Sequence, residues 1–161
     1  MKHTKNILKS LLITVMALSL LAVSCSKDEG RSKNPTNPTT TTITAAMMTT
    51  ELQKIKVDSV IDFAGKTPSA GNVDITALTA KYSQIKAVFD NLNMPGVTLQ
   101  KTIPEKPASG QDAISVVIKI VANDGFVLDT TMKDNKVYIY DEKKKEASLT
   151  IKVKPSGNWE D

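Results

Sequence analysis

Histidine and cysteine, the side chains that most often carry nucleophilic, redox and transition-metal chemistry, are almost missing here: 161 residues contain one of each. The one histidine, His3, lies in a segment read below as a removable leader. No Ser-His-Asp or Cys-His arrangement is then left to assemble, and zinc, copper, haem and iron–sulfur sites lose their usual ligands. A lone cysteine has no disulfide partner within the chain, and no glycine-rich phosphate loop occurs. No cofactor, no metal site and no catalytic residue is therefore expected. Carboxylate chemistry survives these exclusions, either calcium binding or glycoside hydrolysis.

Charge is present in both signs, with 21 Lys and Arg against 17 Asp and Glu. Lys2, Lys5 and Lys9 leave with the leader, so the remainder holds 18 basic against 17 acidic residues and gives no support for nucleic-acid binding. Residues 1–9 carry those lysines and no acid. Residues 10–23 are apolar apart from Ser10, Thr14 and Ser19, and small residues follow. A basic n-region followed by a short apolar h-region is a secretory signal, and a spanning helix needs about 20 apolar residues. An uncleaved anchor is the alternative.

The h-region ends in Ala22-Val23-Ser24-Cys25, which resembles the lipobox of bacterial lipoproteins. Leu is the commoner residue in that family at the place of Ala22. The resemblance implies cleavage before Cys25, whose sulfur is diacylglycerated and whose amine becomes the lipidated N-terminus. The alternative is an ordinary signal peptide with an incidental Cys. Acyl chains contribute roughly 0.8 kcal/mol per buried CH₂, so two or three hold a protein on a membrane without spanning it. Ser26-Lys27-Asp28-Glu29-Gly30 follows at once. A Lys and two acids in this place resemble the surface-export signal of Bacteroidetes lipoproteins, and the expected location is the outer membrane, lipid-anchored and facing the cell surface. With Lys27, Asp28 and Glu29 as a mere spacer, the domain would stay on the periplasmic face.

Residues 31–50 are rich in Thr, with Pro35 and Pro38, a composition that buries too little apolar surface to offset ordering. Domain organisation is read as a leader at 1–24, a lipidated Cys and flexible tether at 25–43, and one globular domain at 44–161. The tether spans about 20 to 25 Å on average. Ala45, Met48, Leu52 and Ile55 predict a short helix over 44–53, with a strand near 54–63. Asp74 reads as the N-cap of the main amphipathic helix, on Ile75, Leu78, Tyr82, Ile85, Val88, Phe89 and Leu92. Beyond Pro95 the period becomes two. Residues 97–103 predict an edge strand, and 114–120 a strand that turns at Asn123-Asp124-Gly125 into a hairpin with 126–128. A second hairpin joins 137–140 to 149–153. The fold class is α+β, an antiparallel meander of four to five strands with one main helix; a β-sandwich is the alternative.

Candidate sites outside the N-terminal signals are few. Asn123, Asp124, Asp129, Asp134 and Asn135 offer oxygen ligands but not in the order of an EF-hand, and Asn-Asp-Gly is first of all a turn. Lys143, Lys144 and Lys145 sit at a hairpin tip, as a solvated turn or as a contact for an acidic glycan. Trp159 either caps the sheet or meets a sugar or protein. Asp58-Ser59-Val60 and Asp129-Thr130-Thr131 resemble the O-glycosylation triplet of Bacteroidetes envelope proteins, which implies modification at Ser59 and Thr130. The expected function is a lipid-anchored, non-catalytic binding or structural domain with a protein or glycan partner. The alternative is an envelope enzyme using paired carboxylates on glycans. Replacing Cys25 by Ala is expected to leave an unprocessed or detergent-independent protein. Labelled palmitate that still enters the Cys25→Ala chain would refute the lipobox.

Overall fold

Residues 146–154 read EASLTIKVK, apolar at every second place, and a strand with that period turns one face inward along its whole length. The computed structural model describes residues 39–57, 60–108, 110–134 and 136–161. In it Glu146–Lys154 is one of nine strands: β1 Thr41–Ile43, β2 Lys56–Val57, β3 Ile61–Asp62, β4 Asn72–Thr76, β5 Val97–Thr102, β6 Ile114–Ala122, β7 Phe126–Leu128, β8 Ile139–Asp141 and β9 Glu146–Lys154. Two α-helices, α1 Ala45–Gln53 and α2 Tyr82–Asp90, and a 3₁₀ turn at Thr130–Lys133 complete an α+β architecture.

The main sheet has five strands in the order β4-β9-β6-β5, with β8 also on β9. One edge of β9 is taken by β6, antiparallel, from Val121↔Glu146 to Ile114↔Val153. The other edge is divided between β8, antiparallel at residues 146–148, and β4, parallel at residues 150–154. The expected strands at 97–103, 114–120 and 149–153 are present and that at 137–140 begins only at Ile139, but β9 stands between β6 and β8 where a simple meander would place β8. Length decides this: β6 and β9 are nine residues each with matching alternation, whereas β8 has three. Inner-face pairs Ile114↔Val153, Val116↔Ile151, Ile118↔Leu149 and Ile120↔Ala147 are all buried. They join Phe63, Ile85, Phe89, Met48 and Leu52 in one core.

Where β4 and β8 meet on β9, Gly71 sits at φ 72° with its N–H on the Lys136 carbonyl, and its own carbonyl accepts from Thr150. A Cβ there would stand 2.5 Å from Ile139 Cγ1, so only glycine fits the junction.

Helix α1 follows its sequence: the Thr44 hydroxyl accepts from Met47 N–H, and Ala45, Met48 and Leu52 are buried. The strand expected near 54–63 is instead the short antiparallel pair β2–β3. The long helix from Asp74 is corrected. Asp74 lies exposed in β4, Leu78 is 55% exposed, and helix begins only at Tyr82. Asn-Val-Asp-Ile-Thr also has a period of two, and five ladder positions on β9 bury Val73 and Ile75 more fully than another helical turn would.

The turn at Asn123-Asp124-Gly125 forms, closed by Phe126 N–H on the Asn123 carbonyl with Gly125 at φ 81°. It does not make the expected hairpin. Of the two central residues, Asp124 and Gly125, only Gly125 has positive φ, and turns of that kind splay strands where the primed types would pair them. Strand β7 leaves β6 and pairs in parallel with β1, Thr41↔Phe126 to Ile43↔Leu128. The end of the expected tether, Thr41–Ile43, is thereby part of the fold, and Ile43 is buried.

Phe89→Ala is expected to lower the unfolding free energy by about 3 to 5 kcal/mol, as full burial of an aromatic ring implies. Asp74→Ala should change it by less than about 0.5 kcal/mol. In denaturant titrations, a loss near 1 kcal/mol at Asp74 would instead restore its role as a helix cap.

Candidate functional site

Cys25, Lys27, Asp28, Glu29 and Ser59 lie outside the described residues, as does Asn135. Thr130 opens the 3₁₀ turn and is exposed, while Asp129 caps that turn by accepting from Thr131 N–H at 2.9 Å. The Asn123 side chain accepts from the Thr98 hydroxyl at 2.6 Å. Two of the calcium candidates are therefore engaged in local structure, and among the described residues no group of three or more acidic, His or Cys side chains converges. Trp159 caps the fold as expected: its Nε1 donates to the Asp112 carbonyl at 2.7 Å and its ring meets Tyr82 edge-on at 5.9 Å.

The three lysines do sit at the β8–β9 tip. Asp141 shapes this turn, its Oδ1 accepting from the N–H of Lys143 at 3.0 Å and of Lys144 at 3.2 Å. The turn closes through Lys145 at φ 54°, a left-handed conformation that costs a side chain bearing Cβ roughly 1 to 2 kcal/mol. The nearby acids are occupied. Glu142 pairs with Lys133 at 3.1 Å, Glu146 with Lys119 at 3.4 Å, and Asp141 lies 3.9 Å from Lys144 Nζ.

Beside the tip is a cleft of about 470 Å³, floored by Phe126, Val127 and Leu128 of β7 and by Tyr140, with Lys144 and Lys145 at its rim. This is within the usual range for a small-ligand site. Phe126 is held in place by Gly96, where a Cβ would stand 2.7 Å from the ring. No carboxylate lines this cleft. The run of three lysines was legible in the sequence. The aromatic floor was not, because Phe126 was expected in a hairpin with β6.

Other depressions are present among the described residues. A groove of about 640 Å³ lies between α1 and α2, with Ile55, Val60, Val88 and Leu92 in it and Glu51, Lys54 and Gln84 beside them. A smaller one of about 390 Å³ holds Asp74 and Asp112, the pair that a carboxylate hydrolase reading would use, together with Lys66, Lys152 and Lys154. Both acids are exposed.

Known protein families, curated proteins and solved structures contain no match to the chain. Among the described residues no helix is long and apolar enough to cross a membrane.

One buried polar group stands apart. Tyr138 is buried and its hydroxyl has no well-formed hydrogen bond among the described residues, with the Thr49 side chain as its polar neighbour. Burial raises its pKa above the ordinary 10. As pH rises past 10 the unfolded chain ionises first, so the stability contributed by the neutral buried phenol is complete below pH 10 and is lost above it. Tyr138→Phe is expected to cost little or nothing at pH 8, because the hydroxyl is unpaired. It should also reduce the fall in urea midpoint between pH 8 and pH 11. A fall equal to that of the parent protein would place the titrating group elsewhere.

Proposed function

We propose that this chain is a lipid-anchored envelope protein, displayed at the cell surface, whose folded part is a non-catalytic binding module. The anchoring half rests on Ala22-Val23-Ser24-Cys25 after a basic and apolar leader. The binding half is carried by one observation, a ligand-sized cleft in which an apolar and aromatic floor adjoins two lysines on a strained turn. A few convergent polar groups on an apolar wall are what fix a ligand's orientation. Backbone strain retained at an exposed position points to a role for that position.

The second reading, a carboxylate hydrolase acting on glycans, is favoured by the sharing of one depression by Asp74 and Asp112. Glycoside hydrolysis needs one of two carboxyl groups held as an acid, usually by burial, and these two are exposed. The binding module is therefore the reading supported best.

Display is tested in whole cells. The native chain is expected to be shaved by added protease. A chain with Lys27, Asp28 and Glu29 all replaced by Ala should remain equally abundant in the membrane fraction and be protected, because a receptor reads such a cluster as an address while the acyl chains supply the anchor. Equal shaving of both would reduce the cluster to a spacer. Protection of both would put the domain on the periplasmic side.

A further inference from the structure

We propose that the cleft between Phe126 and the β8–β9 turn binds the carboxylated sugar units of an acidic polysaccharide, an inference that rests on the binding-module reading. The charge comes first. Around the turn, Glu142, Glu146 and Asp141 each have a lysine partner, in Lys133, Lys119 and Lys144, and among the described residues Lys143 and Lys145 pair with no acid. Lys145 is the one of these two that lines the cleft. It also occupies the position in the turn where glycine would be unstrained, so the fold tolerates a cost to hold an unpaired ammonium there.

The floor decides what kind of anion this is. Phe126 and Tyr140 both line the cleft and are both half-buried, and Val127 beside them is 45% exposed. A pyranose ring places polarised C–H groups against the negative face of an aromatic ring and turns its hydroxyls outward to water. A carboxylate on that ring then reaches the rim, where Lys145 and Lys144 stand. An acidic peptide that bound by adding a strand would find only three residues each on β7 and β8. A cleft of about 470 Å³ takes one or two sugar rings, which suits successive units of a long chain bound weakly and repeatedly.

The full chain in detergent micelles is titrated with trigalacturonic acid, with its methyl ester and with oligoglutamate. The acid trisaccharide should bind, with affinity falling as salt rises. The ester, which keeps the ring faces and loses the charge, should bind at least about tenfold more weakly. Lys145→Gly should weaken binding of the acid by about tenfold without lowering Tm, because it removes the charge together with the left-handed strain. Tyr140→Ala should abolish binding.

Equal affinity for the ester, or indifference to Lys145→Gly, would overturn the acidic class. Loss of that binding in Tyr140→Ala would then still leave the cleft as a sugar site. Tighter binding of oligoglutamate would overturn the proposal in favour of an acidic peptide, and binding of none of the three would overturn it outright. Protease shaving tests the displayed-module reading separately, so a silent titration beside a shaved native protein removes only this ligand class.

Discussion

Alternating burial along β9 is the constraint on which the other elements depend. Ala147, Leu149, Ile151 and Val153 are buried, and each meets a buried partner across the ladder to β6. A slip of one residue would turn all four toward water and bring Ser148, Thr150 and Lys152 into the core, so the register is strongly specified. Because this one strand serves β6 on one side and both β4 and β8 on the other, its register also fixes the positions of three segments that lie far apart in sequence. The cleft depends on it as well. Tyr140 pairs with Ala147, and the lysine turn begins where that pairing ends.

The two helices differ in how much of their placement is local. Helix α1 carries its own cap in Thr44, and the helical spacing of Ala45, Met48 and Leu52 made it legible. Helix α2 has no side-chain cap of its own. At its start the Asp161 carboxylate accepts from Ser83 N–H at 3.2 Å and from the Ser83 hydroxyl at 2.6 Å, and these bonds hold that carboxyl below its usual range. Near its end Lys101 Nζ reaches the carbonyls of Asp90 and Leu92 at 2.6 and 3.0 Å. Both termini are thus served from remote segments, and a local reading assigned the cap to Asp74, which has the right chemistry but belongs to a strand. The same Lys101 is an inward-pointing charge on the edge strand β5, a feature that discourages pairing with another chain.

What was legible in the sequence follows the range of the interaction concerned. The strand periods, the lysine turn and the edge position of β5 come from neighbours in sequence or from a strong alternation. The parallel pairings β4–β9 and β1–β7 do not, since nothing within Asn72–Thr76 or Thr41–Ile43 names a partner some 80 residues away. Those two pairings also decide the site. Strand β7 pairs with β1 and not with the main sheet, and Phe126 of that strand lines the cleft. A reading that kept Phe126 in a hairpin with β6 had the lysines of the site without their floor.

Strand β9 comes after every strand it pairs with, so the sheet is joined only by its last element in sequence. A polypeptide made or threaded from its N-terminus presents β4, β5, β6 and β8 before the strand that joins them, so most of the sheet has no template while those segments pass. Among the described residues, α1, α2 and the β2–β3 and β5–β6 pairs are made wholly from earlier segments, and an isolated pair of strands is marginal in water. Loss of β9 alone would therefore leave β4 and β8 with no partner strand in the sheet and β6 with one edge open.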